Sequence, residues 1–258
     1  ELSIPEFSVP AGIKAVSLLF RALSTEEIAR QLTYVDSEIF CQIRHYELLS
    51  QAWNTPALQP RASHVIALIH RLNKLSYWIP TILMLQPTHE ERVSIFEKSV
   101  HIAKTLHDMN NFNSLMGVVA GLNLACIQRM KRLRSSVSRT VMETFAQLED
   151  LMSPQGSFKL YRDALRKCKG PILPYMGVYL TDLTFVEDGN PDKIGSLVNW
   201  SKREMLYKCL SEVQLFQASQ YSFPISEPTH TLIRQLPAFD DKLLFELSLI
   251  HEPRQSTS

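Results

Sequence analysis

Chemistry that makes or breaks bonds needs nucleophiles, acid–base pairs or metal ligands at fixed spacings, and this sequence offers few of them. Its eight histidines are dispersed; His64 and His70, like His101 and His107, stand six residues apart and do not share a helix face, a poor arrangement for ligating a metal. The cysteines, Cys41, Cys126, Cys168 and Cys209, lie far apart, without zinc-ligand or redox-motif spacing. Each falls in a helical pattern and reads as a reduced core residue of a cytosolic protein. There is no glycine-rich phosphate loop ending in Lys-Ser/Thr, so the chain is not expected to bind a nucleotide triphosphate itself. No HExxH, EF-hand loop or Gly-x-Ser-x-Gly elbow occurs. The Glu187–Asp192 turn groups carboxylates, but its spacing fits no calcium loop. One polar pattern remains. Gly177, Thr181, Thr184 and Asp188 recur at i, i+4, i+7 and i+11, within about 60° of one another on a helix. This narrow stripe of small and polar groups ends in a carboxylate at a helix C-terminus, where negative charge is disfavoured by up to roughly 1 kcal/mol. Periodicity alone favours a solvated face whose Asp prepares the following Asp-Gly turn. The alternative is a surface that reaches into a partner.

The stripe belongs to a stretch, Pro171 to Phe216, that reads as two amphipathic helices joined by a tight turn. Pro174 suits a first helical turn, where a missing N–H costs nothing. Tyr175, Met176, Tyr179, Leu183 and Val186 form an apolar face opposite the stripe. Gly189 is placed to close the helix in the left-handed conformation, with Pro191 following. The second helix is expected from about Asp192 to Gln217, with Leu197, Trp200, Leu206, Cys209, Leu210, Val213 and Phe216 on its inner side.

The chain of 258 residues, 45% of them hydrophobic, has material for a large core, and only 8 glycines argue against turn-rich β structure. A net charge of +1 implies no nucleic-acid or acidic-membrane partner. No apolar run reaches membrane-spanning length and no signal peptide is evident, so direct membrane insertion is not expected. The start at Glu1 suggests a domain excised from a longer protein. Residues 1–10, with two prolines, look like a linker. Ser24 with Glu27, and Thr88 with Glu91, fit capping boxes. Asp36 reads as a helix cap, and Tyr46–Trp53 as a short helix. A long helix over residues 62–85 carries Pro80, expected to kink it or start a new turn. Gly117, Ala120 and Gly121 allow close packing of the next helix but one. The basic run from Arg129 to Arg139 (Arg129, Lys131, Arg132, Arg134, Arg139) reads as a solvated face. The expected fold is all-α: a linker and leading helix over 1–23, one large helical domain with a protruding hairpin over 24–254, and a tail over 255–258.

Several segments, in order, resemble the catalytic domain of Ras-family guanine nucleotide exchange factors. They are EEIARQLTYVDSEIFCQIRHYELLSQAW (Glu26–Trp53), NNFNSLMGVVAGLN (Asn110–Asn123), PYMGVYLTDLTFVEDGNP (Pro174–Pro191), NWSKREMLYKCLSEVQLFQ, and LFELSLIHEPR (Leu244–Arg254). The resemblance implies a domain with no cofactor and no metal of its own. Its partner would be a small GTPase of the Ras, Rap or Ral type. The domain would be cytoplasmic, reaching membranes through regions outside this fragment or through a lipidated GTPase. In the family a helical hairpin pushes the GTPase's first switch aside and perturbs the Mg²⁺ and phosphate sites. That hairpin maps onto about Pro174–Phe216.

By the same resemblance Asp188 occupies the position of an acidic residue that meets the hydroxyl of the GTPase phosphate loop. Thr184 aligns with a Leu that crowds the Mg²⁺ site, and Thr181 lies on the same stripe. Asp188 is one methylene shorter than the family's Glu, and Thr184 is smaller and polar. Ile69, Met116, Phe158 and Tyr175 align with an apolar pocket that grips the second switch, and Asn123 with a polar contact beside it. Ile69 and Met116 read equally well as core. Asn111 and Asn113 are expected to hold their boundary through backbone hydrogen bonds. The two departures leave a second possibility: a relative that grips a GTPase or another signalling partner without ejecting nucleotide.

Overall fold

The structure is a computed structural model that describes residues 11–254, so the expected linker over 1–10 and tail over 255–258 lie outside the described residues. The described chain is all-helical but for one two-stranded ribbon. Its helices are α1 (Ala11–Ala22), α2 (Thr25–Gln42), α3 (Ser63–Met84), α4 (His89–Asp108), α5 (Phe112–Leu122), α6 (Ala125–Gln128), α7 (Lys131–Ser136), α8 (Arg139–Leu151) and α9 (Gln155–Leu165). There follow α10 (Met176–Gly189), the strands β1 (Lys193–Ile194) and β2 (Leu197–Val198), then α11 (Trp200–Gln217), α12 (Glu227–Gln235) and α13 (Asp241–His251).

Helix starts follow local chemistry. Thr88 and Glu91 form the full reciprocal cap of α4. At α2 only half of the expected box forms: the Ser24 hydroxyl accepts from the Glu27 N–H at 3.1 Å, while the Glu27 carboxylate accepts from the Gln31 amide. Pro80 sits inside α3, which continues across it. A proline has no N–H to give the Ser76 carbonyl one turn back. Gly121 of α5 packs against that same carbonyl, where a Cβ would lie 2.7 Å from its oxygen. The small residues of α5 thus let it lie against α3, as their spacing suggested.

Burial divides into two cores. The larger joins α2, α3, α4, α5 and α8 around Trp78, Phe96, Phe112 and Phe145. The smaller gathers Phe40, Leu48, Val65 and Leu68 with Met176, Tyr179 and Leu183 of α10 and Leu206 and Val213 of α11. The hairpin is therefore rooted in a second core that it shares with the end of α2 and the start of α3, and α10 packs chiefly on α11.

Five expectations are corrected by the fold. Asp36 caps nothing: it lies within α2, is 1% exposed, and pairs with Arg71 of α3. It also accepts from Ser114 Oγ at 2.6 Å and Asn113 Nδ2 at 3.2 Å. Asn113 therefore bonds a buried carboxylate rather than the backbone, whereas Asn111 does cap α5 through the Ser114 N–H. Tyr46–Trp53 is not a helix. A 3₁₀ turn, His45–Leu48, gives way to Ser50 and Gln51 in left-handed conformations. The basic run is only partly a solvated face. Arg129 donates to the Ser248 and Glu252 carbonyls, and Arg134 lies over the Phe96 and Phe145 rings. Cys168, expected within a helix, lies beyond the end of α9.

Candidate functional site

The polar stripe forms as its spacing requires. Thr181 and Asp188 are exposed and Thr184 is half-buried, all on one side of α10. Both threonine hydroxyls donate back to the helix, Thr181 to the Gly177 carbonyl at 2.8 Å and Thr184 to Leu180 at 2.9 Å. What remains for a partner is their methyls and the acceptor lone pairs of their hydroxyls. Gly177, at the base of the stripe, is required: the Tyr175 ring folds across it, and a Cβ there would overlap that ring. Asp188 Oδ1 accepts from Gln51 Nε2 at 2.6 Å.

The turn of the hairpin differs from the expected continuous second helix. Residues from Asp192 to Asn199 instead form the β1–β2 ribbon, with Gly195 at φ +63°. Gly189 ends α10 without adopting a left-handed conformation, and Asn190 follows in extended backbone. Helix α11 begins only where Asn199 can cap it. The Asn199 side chain accepts from the Lys202 N–H and donates to the Pro191 carbonyl at 2.9 Å. Leu197 and Trp200, expected on the inner side, are 73% and 77% exposed. Leu206 and Val213 do face inward, with Cys209, Leu210 and Phe216 half-buried. Lys202 closes the turn. Its side chain is 4% exposed, with Nζ 2.7 Å from Glu187 Oε2 and 3.2 Å from Asp192 Oδ1. Burial pulls the Lys202 ammonium down, but the Glu187 and Asp192 carboxylates outweigh it and hold its pKa above the ordinary value. Hydrogen bonding to Lys202 in turn holds Asp192 below the usual carboxylate range.

Of the expected pocket residues, Phe158 and Tyr175 meet directly, with ring centroids 5.9 Å apart. Tyr161 supports both: its hydroxyl accepts the Tyr175 N–H at 2.8 Å and its ring lies 6.4 Å from Phe158. Burial pushes the Tyr175 phenol up. Phe158 reaches this place through a left-handed turn, Gly156, Ser157 and Phe158, at φ +59°, +57° and +60°. Such backbone costs roughly 1–2 kcal/mol for each non-glycine residue. Met116 is half-buried at the edge of the same core, whereas Ile69 borders the smaller core. Asn123 ends α5 and donates to Glu149 Oε1 at 2.5 Å. Several residues here escaped sequence reading. Arg162 holds Asp182 of α10 through two 2.8 Å bonds, and Ser50 and Gln51 bond the end of α10. These pairs are distant in sequence and no local pattern marks them.

A profile of the RasGEF domain matches residues 27–204, from α2 into the first turn of α11. The chain belongs to the RasGEF domain family. Among curated relatives, this RasGEF domain is 45% identical over 256 residues to Ras guanine nucleotide exchange factor R of Dictyostelium discoideum, covering 99% of this chain and 15% of that protein. Exchange factor S of the same organism is 39% identical over 263 residues, covering 98% of this chain and 25% of the relative. Factor J is 38% identical over 254 residues, covering 97% and 31%. The chain thus spans less than a third of the length of these curated relatives. Among the described residues of the RasGEF domain, no helix is long and apolar enough to cross a membrane.

Proposed function

We propose that this RasGEF domain is a guanine nucleotide exchange catalyst for a small Ras-family GTPase, of the Ras, Rap or Ral type. It acts by displacement, without making or breaking a covalent bond. The α10–α11 hairpin displaces the first switch of the GTPase. Asp188 then takes the phosphate-loop hydroxyl as a charged acceptor where nucleotide phosphate otherwise sits. Thr184 and Thr181 crowd the neighbouring Mg²⁺ site. The second switch is held by Tyr175, Phe158 and Met116, with Ile69 and Asn123 at the margin. The observation that carries this reading is an exposed carboxylate, Asp188, at the end of a hairpin helix whose other face is sunk in the smaller core. The test is release of labelled GDP from a panel of Ras, Rap and Ral GTPases at micromolar domain. Faster release from at least one of them is expected; no acceleration across the panel refutes the proposal.

One observation favours a second reading, in which the domain binds a GTPase without emptying it. Thr184 is half-buried with its hydroxyl turned onto the Leu180 carbonyl, so it offers little bulk to a Mg²⁺ site. Stable association with a GTPase, unaccompanied by faster release, selects that reading.

A further inference from the structure

The carboxylates that end α10 do not stand free. The backbone N–H of Ser50 donates to Glu187 Oε1 at 3.2 Å, and Gln51 Nε2 donates to Asp188 Oδ1 at 2.6 Å. Both donors come from one turn of the domain body, and both residues of that turn are left-handed, with φ of +56° and +49°. Non-glycine residues adopt such backbone when the surroundings over-determine it, and such strain clusters at functional sites. The surroundings do over-determine it here. Leu48 and Ala52, on either side, are buried in the smaller core. Glu47, just before, is fully buried and accepts from the His64 and Val65 N–H groups, which fastens the turn to the start of α3.

The hairpin does not need this turn in order to close. Lys202 already bridges Glu187 and Asp192 within the hairpin itself. What the turn adds falls on Asp188. A bond to Oδ1 restricts where the carboxylate can swing, and among the described residues no bond reaches Oδ2. One oxygen is held and the other is presented.

We propose that the Ser50–Gln51 turn is a clasp that presents Asp188, with Gln51 a positioning residue for nucleotide release. This rests on the exchange reading above. Preorganising an acceptor before its partner arrives removes a cost that would otherwise fall on the rate-limiting displacement. Gln51 should therefore matter to the maximal release rate more than to association.

The backbone strain supplies a clean test. Gln51→Gly removes the amide yet adopts φ +49° without penalty, so the melting temperature should hold or rise. The maximal GDP-release rate at saturating domain should fall about two- to threefold, less than loss of the Asp188 carboxylate itself costs, because Gln51 acts only through it. The half-saturating concentration should stay unchanged. In an Asp188→Ala background, Gln51→Gly should have no further effect. Gln51→Glu, which sets two carboxylates against each other, should lower the rate further than glycine does. If the wild-type domain accelerates release and Gln51→Gly matches it, the clasp is refuted and the exchange reading stands. If Gln51→Gly is slower but also melts lower, the contact is a stabilising one and the positioning role is refuted. A wild-type domain that leaves release unchanged overturns both.

Discussion

On the proposed mechanism Asp188 acts by charge and reach, since the stripe it ends carries no other ionisable group. Asp188→Ala should slow GDP release several-fold while leaving the helical circular-dichroism spectrum unchanged, because the residue is exposed and packs against nothing in either core. Asp188→Glu keeps the charge and should retain release; an unaltered rate in Asp188→Ala removes Asp188 from the site. Tyr175→Ala acts elsewhere, on the grip. It loses the ring contact with Phe158, and should weaken affinity for nucleotide-free GTPase by about 2 kcal/mol, as an interface anchor does. Titration calorimetry reads that loss. Asp36 makes the contrasting case. A sequence reading takes an Asp in polar surroundings for a helix cap, because its partner Arg71 and the Asn113 and Ser114 donors lie on other helices. Only the fold shows that it is buried and paired. Asp36→Ala strands a buried guanidinium, a loss of roughly 3–5 kcal/mol, and the denaturant midpoint should fall accordingly. The stripe was legible because it is periodic within one helix; the residues that support it were not, because their contacts join distant segments.

At the level of elements, α10 was readable and the start of α11 was not. The Lys193–Val198 segment carries apolar residues that continue a helical pattern, yet Gly195 and the cap chemistry of Asn199 break it into a ribbon first. The ribbon leaves Ile194, Leu197 and Val198 exposed at the tip, a placement periodicity cannot signal. Closure of this tip by Lys202 has a pH consequence. The Lys202 pKa is raised in the folded chain, so its contribution is fully present below about pH 10.4 and is lost as pH rises through the folded value. The Asp192 pKa is depressed, so its contribution is present above about pH 3.9 and is lost as pH falls through the folded value. Amide hydrogen exchange in residues 187–203 should therefore keep its protection across neutral pH, after correction for intrinsic rates, and lose it at both extremes. Lys202→Met, which keeps the apolar stem and removes the charge, should abolish the alkaline step and leave the larger core's protection intact. An alkaline step that persists in Lys202→Met assigns it to some other group.

Across the whole molecule, the proposed mechanism needs a body that grips and a hairpin that intrudes, and the hairpin is seated in a second core that it shares with α2 and α3. Helical periodicity showed that the chain was all-α but not that it would divide its burial this way, since a pattern of apolar residues does not name the helix it faces. The division matters to the proposed mechanism, in which grip and wedge act on one GTPase at once. A domain that binds the empty GTPase better than the loaded one must weaken nucleotide by the same factor, and nucleotide must weaken the domain in return. With a net charge of +1, bulk electrostatics contribute little to such a preference; the proposed mechanism places it in contacts that exist only when the phosphate site is vacant. The domain should therefore form a complex that survives gel filtration with a GTPase stripped of nucleotide by chelation. Millimolar GDP or GTP with Mg²⁺ should dissolve that complex equally well, because either phosphate chain reclaims the site Asp188 occupies. Asp188→Ala should still form the complex through Tyr175 and Met116, but should release it at lower nucleotide concentration. A complex indifferent to nucleotide would mean that the hairpin never enters the phosphate site, and that the domain holds its partner by the body alone.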